Sequence, residues 1–405
     1  MIGTIYKGLT GLIGFSKGLD VLGNNIANLN TPGFKGSESN FRDLFYRYSV
    51  NGDGQSTSQI GQGMDASSTH TRFRQGELRD TGNPLDIAID GSGFLVLRQD
   101  GESFYTRAGQ LEFNREGLLV DRTTGGSVQS LTGSLLLQDI NIASLRSNPP
   151  QATSRVEFTG NMTRNLGPTG SATHQITGVT VYDSAGTTHT LTINFTSTTP
   201  GIWTLEIIEP AVNPTAVIGT GDIRYQGNGS PEVNYNTATL NLTPAGTAAS
   251  TITLFFGEPG TFSWTTGFSG STTSDAQVST QDGYAVGSLT EATFSTNGTL
   301  TLSYSNGQIT DGPRLALAWF NDLQRLEMQG NNLFVNNGDE QPILGHAAEG
   351  VMGQVVAEKI ELSNVELTEQ FTDMVIIQRG YQASSQITTV ANEMIQQLFE
   401  MQGRK

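Results

Sequence analysis

The sequence predicts an α+β protein in which two long terminal helices pair as a coiled coil around two nested all-β domains. Three observations carry that expectation: an apolar seam near the C-terminus, a second near the N-terminus, and a long middle rich in Gly, Ser and Thr where apolar and polar residues alternate.

Leu367, Phe371, Met374, Ile377, Tyr381, Ser384, Ile387, Ala391, Met394 and Leu398 recur in steps of three and four, the spacing of a left-handed coiled coil. Ser363 and Glu366 form a capping box, and Leu362 and Leu367 a hydrophobic staple, so the helix is predicted to start at Ser363. So long a helix needs a partner along its length.

The partner is predicted at the other end. Ile2, Ile5, Leu9, Leu12, Ser16, Leu19, Gly23 and Ile26 alternate in the same steps, and the pattern stops at Thr31-Pro32-Gly33. Gly3, Gly8, Gly11, Gly14, Gly18 and Gly23 each weaken this helix by about 0.8–1 kcal/mol relative to alanine. Most lie off the seam, leaving a second face that a neighbouring backbone can approach. The expectation is that both termini are disordered in the monomer and order when many copies pack; the alternative is an antiparallel pair within one chain.

With 405 residues the chain can hold two or three domains. A net charge of -16 and the lack of a basic run argue against nucleic acid and anionic membrane as partners. No apolar run reaches the length of a membrane span, and the first thirty residues lack the parts of a secretory signal peptide. Without cysteine, disulfides, thiolate ligands and thiol nucleophiles are excluded.

Along the chain, residues 31–70 read as an extended polar connector. Leu85–Asp90 and Phe94–Leu97 flank Gly91-Ser92-Gly93 as a hairpin, followed by strands at Phe104–Thr106, Leu111–Phe113 and Leu118–Val120. After Pro149-Pro150 come alternating strands around Val179 and Val181, Leu191 to Phe195, Trp203 to Ile207 and Thr251 to Phe256. Phe294, Leu300, Leu302 and Tyr304 then share a face across the Asn297-Gly298 turn. The predicted organisation is helical at 1–30 and 360–405, a β domain from 71–144 and 285–359, and an inserted outer β domain at 145–284.

Asn24 to Lys35, with Asn25, Asn28, Thr31, Gly33, Phe34 and Lys35, resembles the N-terminal signature of the rod and hook axial proteins of the bacterial flagellum. Leu362 to Leu398, with its Gln378-Arg379-Gly380-Tyr381-Gln382-Ala383 core, resembles their C-terminal signature, and the large insert resembles that of the family's hook branch. The resemblance implies a non-enzymatic subunit that polymerises helically into a flexible tube joining rod to filament, with the helices innermost. It further implies export outside the cell by the flagellar type III apparatus without a cleaved signal. Its implied partners are further copies of the chain, the hook cap, the distal rod, the hook-filament junction proteins, the hook-length control protein and the export apparatus. The expected assembly interface is Ile2, Ile5, Leu9, Leu12, Leu19, Ile26, Leu367, Phe371, Met374, Ile377, Tyr381, Ile387, Met394 and Leu398. A straight-rod subunit of the same family, or an extracellular β-rich adhesin or enzyme, are the alternatives.

No catalytic, cofactor or metal site is predicted. Gly91-Ser92-Gly93 lacks the later glycine of a nucleotide loop, and His70, His174, His189 and His346 have no ligand spacing.

Overall fold

The computed structural model describes residues 2–50, 57–133, 136–243 and 248–402. The chain forms two compact units, one of residues 1–143, 291–302 and 310–405, the other of 144–290 and 303–309.

In the first unit, helix α1 (Ile2–Ala27) and helix α2 (Leu367–Gln402) run antiparallel. Asn25 Nδ2 donates to Gln370 Oε1 at 2.8 Å, Gly18 abuts Ile377, the Phe15 ring covers Gly380, and Gly8 meets Ser384 and Thr388. The buried stripe of α1 is Gly8, Gly11, Gly14, Gly18, Leu22 and Asn25; that of α2 is Gln370, Ile377, Ser384 and Ala391, one residue in seven. On α2 three of these residues, Ile377, Ser384 and Ala391, belong to the expected seam, whereas on α1 none does, so pairing within the chain uses the glycine face of α1 rather than its seam of large side chains. The reason is distance: a Cβ on Gly11 would sit 2.5 Å from Ser384 Oγ, and one on Gly18 2.9 Å from Ile377 Cδ1.

The helix start also differs from expectation. Gln370 N–H donates to the Glu366 carbonyl at 3.0 Å, and α2 begins at Leu367 rather than Ser363. Leu362 N–H is engaged by Glu77, while the Asn364 side chain accepts from Gly36 N–H (2.8 Å) and donates to the carbonyls of Arg72 (2.7 Å) and Arg74 (2.8 Å). These long-range bonds hold 362–365 extended against a local capping preference.

The stretch expected as an extended connector folds back on itself. Strands β1 (Ser37–Asp43) and β4 (Met64–Thr71) pair antiparallel, as do β2 (Tyr46–Val50) and β3 (Thr57–Gly61), making a two-stranded ribbon. Such a ribbon needs support. It lies on α1, where Gly14 admits Met64 and Phe41 reaches Gly18 and Phe15; residues 51–56 are outside the described residues.

The unit also holds a ten-stranded sheet, with Phe94–Gln99 between Glu102–Thr106 and Ser127–Leu131. Its core joins Phe94, Val96, Tyr105, Ala316, Ala318, Phe320 and Phe334. The expected hairpin about Gly91-Ser92-Gly93 does not form: Ile87–Asp90 pairs instead with Gln354–Ala357. Gly91 and Gly93 have φ of +108° and +119°, and Gly353 lies against Gly91, so the chain leaves one sheet there and joins another.

The second unit carries a four-stranded antiparallel sheet (Ala172–Tyr182, Thr188–Thr199, Ile202–Glu209, Asn213–Arg224) and a five-stranded mixed sheet. Both contribute to one core: Val179, Val181, Leu191, Ile193, Phe195, Trp203, Leu205 and Ile207 meet Phe158, Leu240, Leu254 and Phe256. The Asn297-Gly298 turn joins Gly287–Phe294 to Thr299–Tyr304, and Phe294, Leu300, Leu302 and Tyr304 are buried.

Candidate assembly faces and the junction that aims them

Because the inner face of α1 is lined by glycine and that of α2 by Gln370, Ile377, Ser384 and Ala391, most of their large side chains remain outside. On α1, Leu9 is 48% exposed, with Tyr6 and Ile13 beside it; Ile5, Leu12, Leu19 and Ile26 are half-buried. The Ile2 side chain lies outside the described residues. On α2, Leu367, Phe371, Tyr381, Ile387, Met394 and Leu398 are exposed, Met394 at 49%, while Met374 is half-buried and only Ile377 of the expected interface is buried. Val375, Ile376, Val390, Phe399 and Met401, which the seam did not include, are exposed too. A cavity of about 510 Å³ lies beside this surface, lined by Thr4, Ala383, Gln386, Ile387, Val390, Ala391 and Met394. So much exposed apolar surface on one helix pair marks an interaction surface.

The signature turn after α1 aims that surface. Asn28 Nδ2 donates to the Asn24 carbonyl at 3.0 Å, Thr31 Oγ1 donates to Asn28 Oδ1 at 3.2 Å, and Asn332 Nδ2 reaches the Pro32 carbonyl at 2.7 Å. Gly33 has φ of +72° and passes so near the backbone of the loop after Glu102–Thr106 that a Cβ would lie 2.6 Å from Ala108 N. Its own N–H donates to the Glu361 carbonyl at 2.8 Å. Phe34 is buried, and Asn25 binds Ser37 through both side-chain atoms, accepting its N–H at 3.0 Å and donating to its carbonyl at 2.8 Å.

At the centre Lys35, 1% exposed, places Nζ 2.5 Å from Glu361 Oε1 and 2.9 Å from the Arg74 carbonyl. Glu361, fully buried, also accepts Gly76 N–H at 2.7 Å and faces Arg107 at 3.3 Å. Arg107 in turn donates to the carbonyls of Ile89 and Gly91. Burial draws the Lys35 ammonium below its ordinary value, opposed by the Glu361 carboxylate beside it. One carboxylate thus compensates two cations where water is excluded. At the rim, Arg72 forks onto Glu369 of α2 at 2.8 and 2.9 Å and also contacts Glu38 of β1. The resemblance singled out Lys35; Asn364 and Gln370 fall inside its C-terminal stretch without being singled out, and neither Arg107 nor Glu361 was named. Glu361 carries no distinguishing signal in the sequence, since it stands in the charged stretch Glu358-Lys359-Ile360-Glu361.

Among the described residues no group of three or more His, Asp or Glu is placed to hold a metal ion. No helix among the described residues is long and apolar enough to cross a membrane.

Four family models match the chain. They are "Flagella basal body rod protein" over residues 5–35, "Flagellar hook protein FlgE/F/G D1 domain" over 88–162, "Flagellar basal body protein FlaE D2 domain" over 154–371, and "Flagellar basal body rod FlgEFG protein C-terminal" over 357–401. Among curated relatives, Flagellar hook protein FlgE of Treponema pallidum is 32% identical, with 98% of each chain covered. That of Borreliella burgdorferi is 28% identical over 99% of this chain and 100% of the relative, and that of Salmonella typhimurium 27% over 98% and 99%. Of solved structures, the Helicobacter pylori flagellar hook protein FlgE2 shares the fold, with a TM-score of 0.50 and 13% identity over 70% of this chain and all of that one.

Proposed function

The chain belongs to the flagellar hook protein family as a structural subunit of the hook, and from that premise we propose that the outer faces of α1 and α2 join it to further copies. One observation carries the reading: after the two helices pair, Leu9, Ile387, Met394 and Leu398 are still exposed. A contact between unlike faces, repeated without closure, makes a helical polymer.

In this reading the helices form the inner layer of the tube, the ten-stranded unit a middle layer and the second unit an outer layer. The Thr-rich outer strands slide past one another as the joint bends, while the helical layer holds the copies together. The hook cap, distal rod, junction proteins and length-control protein meet the same polymer, and the chain passes the type III apparatus unfolded to a place outside the cell. The low helix propensity of α1 favours that passage.

Electron microscopy of chain seeded on hook fragments tests this. The wild type is expected to give curved flexible tubes, whereas Leu12→Glu and Met394→Lys give none and keep the β-sheet circular dichroism of the parent. Tubes from either variant, or discrete particles from the wild type, overturn the reading.

A further inference from the structure

The register of the helix pair exposes one end of α2. Facing positions advance one for one in opposite directions: Asn25 with Gln370, Gly18 with Ile377, Phe15 with Gly380. Carried on, the register reaches the first turn of α1 at about residue 393 of α2. The last turns of α2 lie beyond it and carry Met394, Leu398, Phe399 and Met401, all exposed. On α1 the face turned away from α2 carries Tyr6, Leu9 and Ile13, likewise exposed.

These two patches match. Tyr6, Leu9 and Ile13 are spaced three then four along α1; read backwards, Met401, Leu398 and Met394 are spaced three then four along α2. Both sets therefore form single stripes that meet when the helices are antiparallel. Charge selects the same pairing. Lys7, Lys17 and Asp20 leave α1 with a small positive excess, whereas α2 has Glu369, Asp373, Glu393 and Glu400 against Arg379 alone. An α2-to-α2 contact would set acid against acid, and an α1-to-α2 contact does not.

Resting on the assembly reading above, we propose that the free end of α2 docks on the outer face of α1 of a second copy. Met401 sits against Tyr6, Leu398 against Leu9 and Met394 against Ile13. The second copy is displaced along the helix axis by about twelve residues, roughly 18 Å, from the register within one chain. Its own α2 end stays free for the next copy, so the contact propagates.

The absence of cysteine makes the test clean. Within one chain Leu9 and Leu398 are roughly 18 Å apart along the axis, too far for a disulfide, so a bond in Leu9→Cys/Leu398→Cys must join two copies. Mild oxidation of assembled tubes should give a ladder of covalent multimers on a non-reducing gel, and so should Tyr6→Cys/Met401→Cys. The control Leu9→Cys/Phe371→Cys, out of register both within one chain and between copies, should stay monomeric. A ladder from neither matched pair, or an equal ladder from the control, overturns the register. If wild-type chain forms no tubes at all, the assembly reading fails instead.

Discussion

Glu361 shows how much one side chain can hold. Its carboxylate is the single anion between Lys35 and Arg107 and also receives Gly76 N–H, and all three charged groups are buried. Glu361→Gln would leave two cations facing each other without compensation, and breaking a buried pair in this way costs about 3–5 kcal/mol. Lys35→Met should lose less, because Arg107 and Gly76 still satisfy Glu361. Urea unfolding of the monomer reads both; equal losses would mean that Arg107 takes no part. Lys35 was marked in the sequence by resemblance alone, since a lysine after Gly33-Phe34 carries no local sign of burial. Its partners Arg74 and Glu361 lie 39 and 326 positions away, and Arg107, which meets it through Glu361, lies 254 positions from that carboxylate.

For the helices, glycine is adverse to the isolated element and required by the pair. Gly23 has nothing within 4 Å of where a Cβ would stand, whereas Gly380 would bring its Cβ within 2.6 Å of the Phe15 ring. Gly23→Ala should therefore raise helix stability by about 0.8–1 kcal/mol. Gly380→Ala should lower it despite the better propensity, because the ring must move. Thermal melting followed at 222 nm separates the two, and a gain from both would mean that the helices do not approach as closely as the glycines permit. The heptad spacing identified both helices, and it left most of the α1 glycines, all but Gly23, off the seam of large residues. It could not say which face serves the chain itself: periodicity gives faces, and the neighbour decides their use. The capping box at Ser363 misled for a related reason, since Asn364 finds three partners from distant segments.

At the scale of the molecule, each unit has its own buried core. In the second unit, burial acts to raise the Asp282 carboxyl, but Ser154 Oγ and the N–H groups of Ser154 (2.9 Å) and Arg155 (3.0 Å) outweigh it and hold the group below its ordinary value. A depressed carboxyl contributes stability above its unfolded value near pH 4, and that contribution fades as pH falls through the lower folded value. Melts of the wild type should thus weaken more steeply below about pH 4 than those of Asp282→Asn, which should be the weaker of the two at pH 7. Parallel melts at both pH values would show that the carboxylate makes no net contribution.

By itself the sequence determined a mostly β chain closed by a helix at each end, because 3.6-fold and twofold apolar periodicities are local properties of neighbouring residues. It also determined the family, because both terminal signatures are contiguous. Only the tertiary structure decided that α1 and α2 meet through glycine, that residues 37–71 return as a ribbon, that Ile87–Asp90 pairs with Gln354–Ala357, and that Lys35 is buried against Glu361. Each of these depends on close approach between segments far apart in the chain, where sterics and desolvation, rather than local propensity, select the partner.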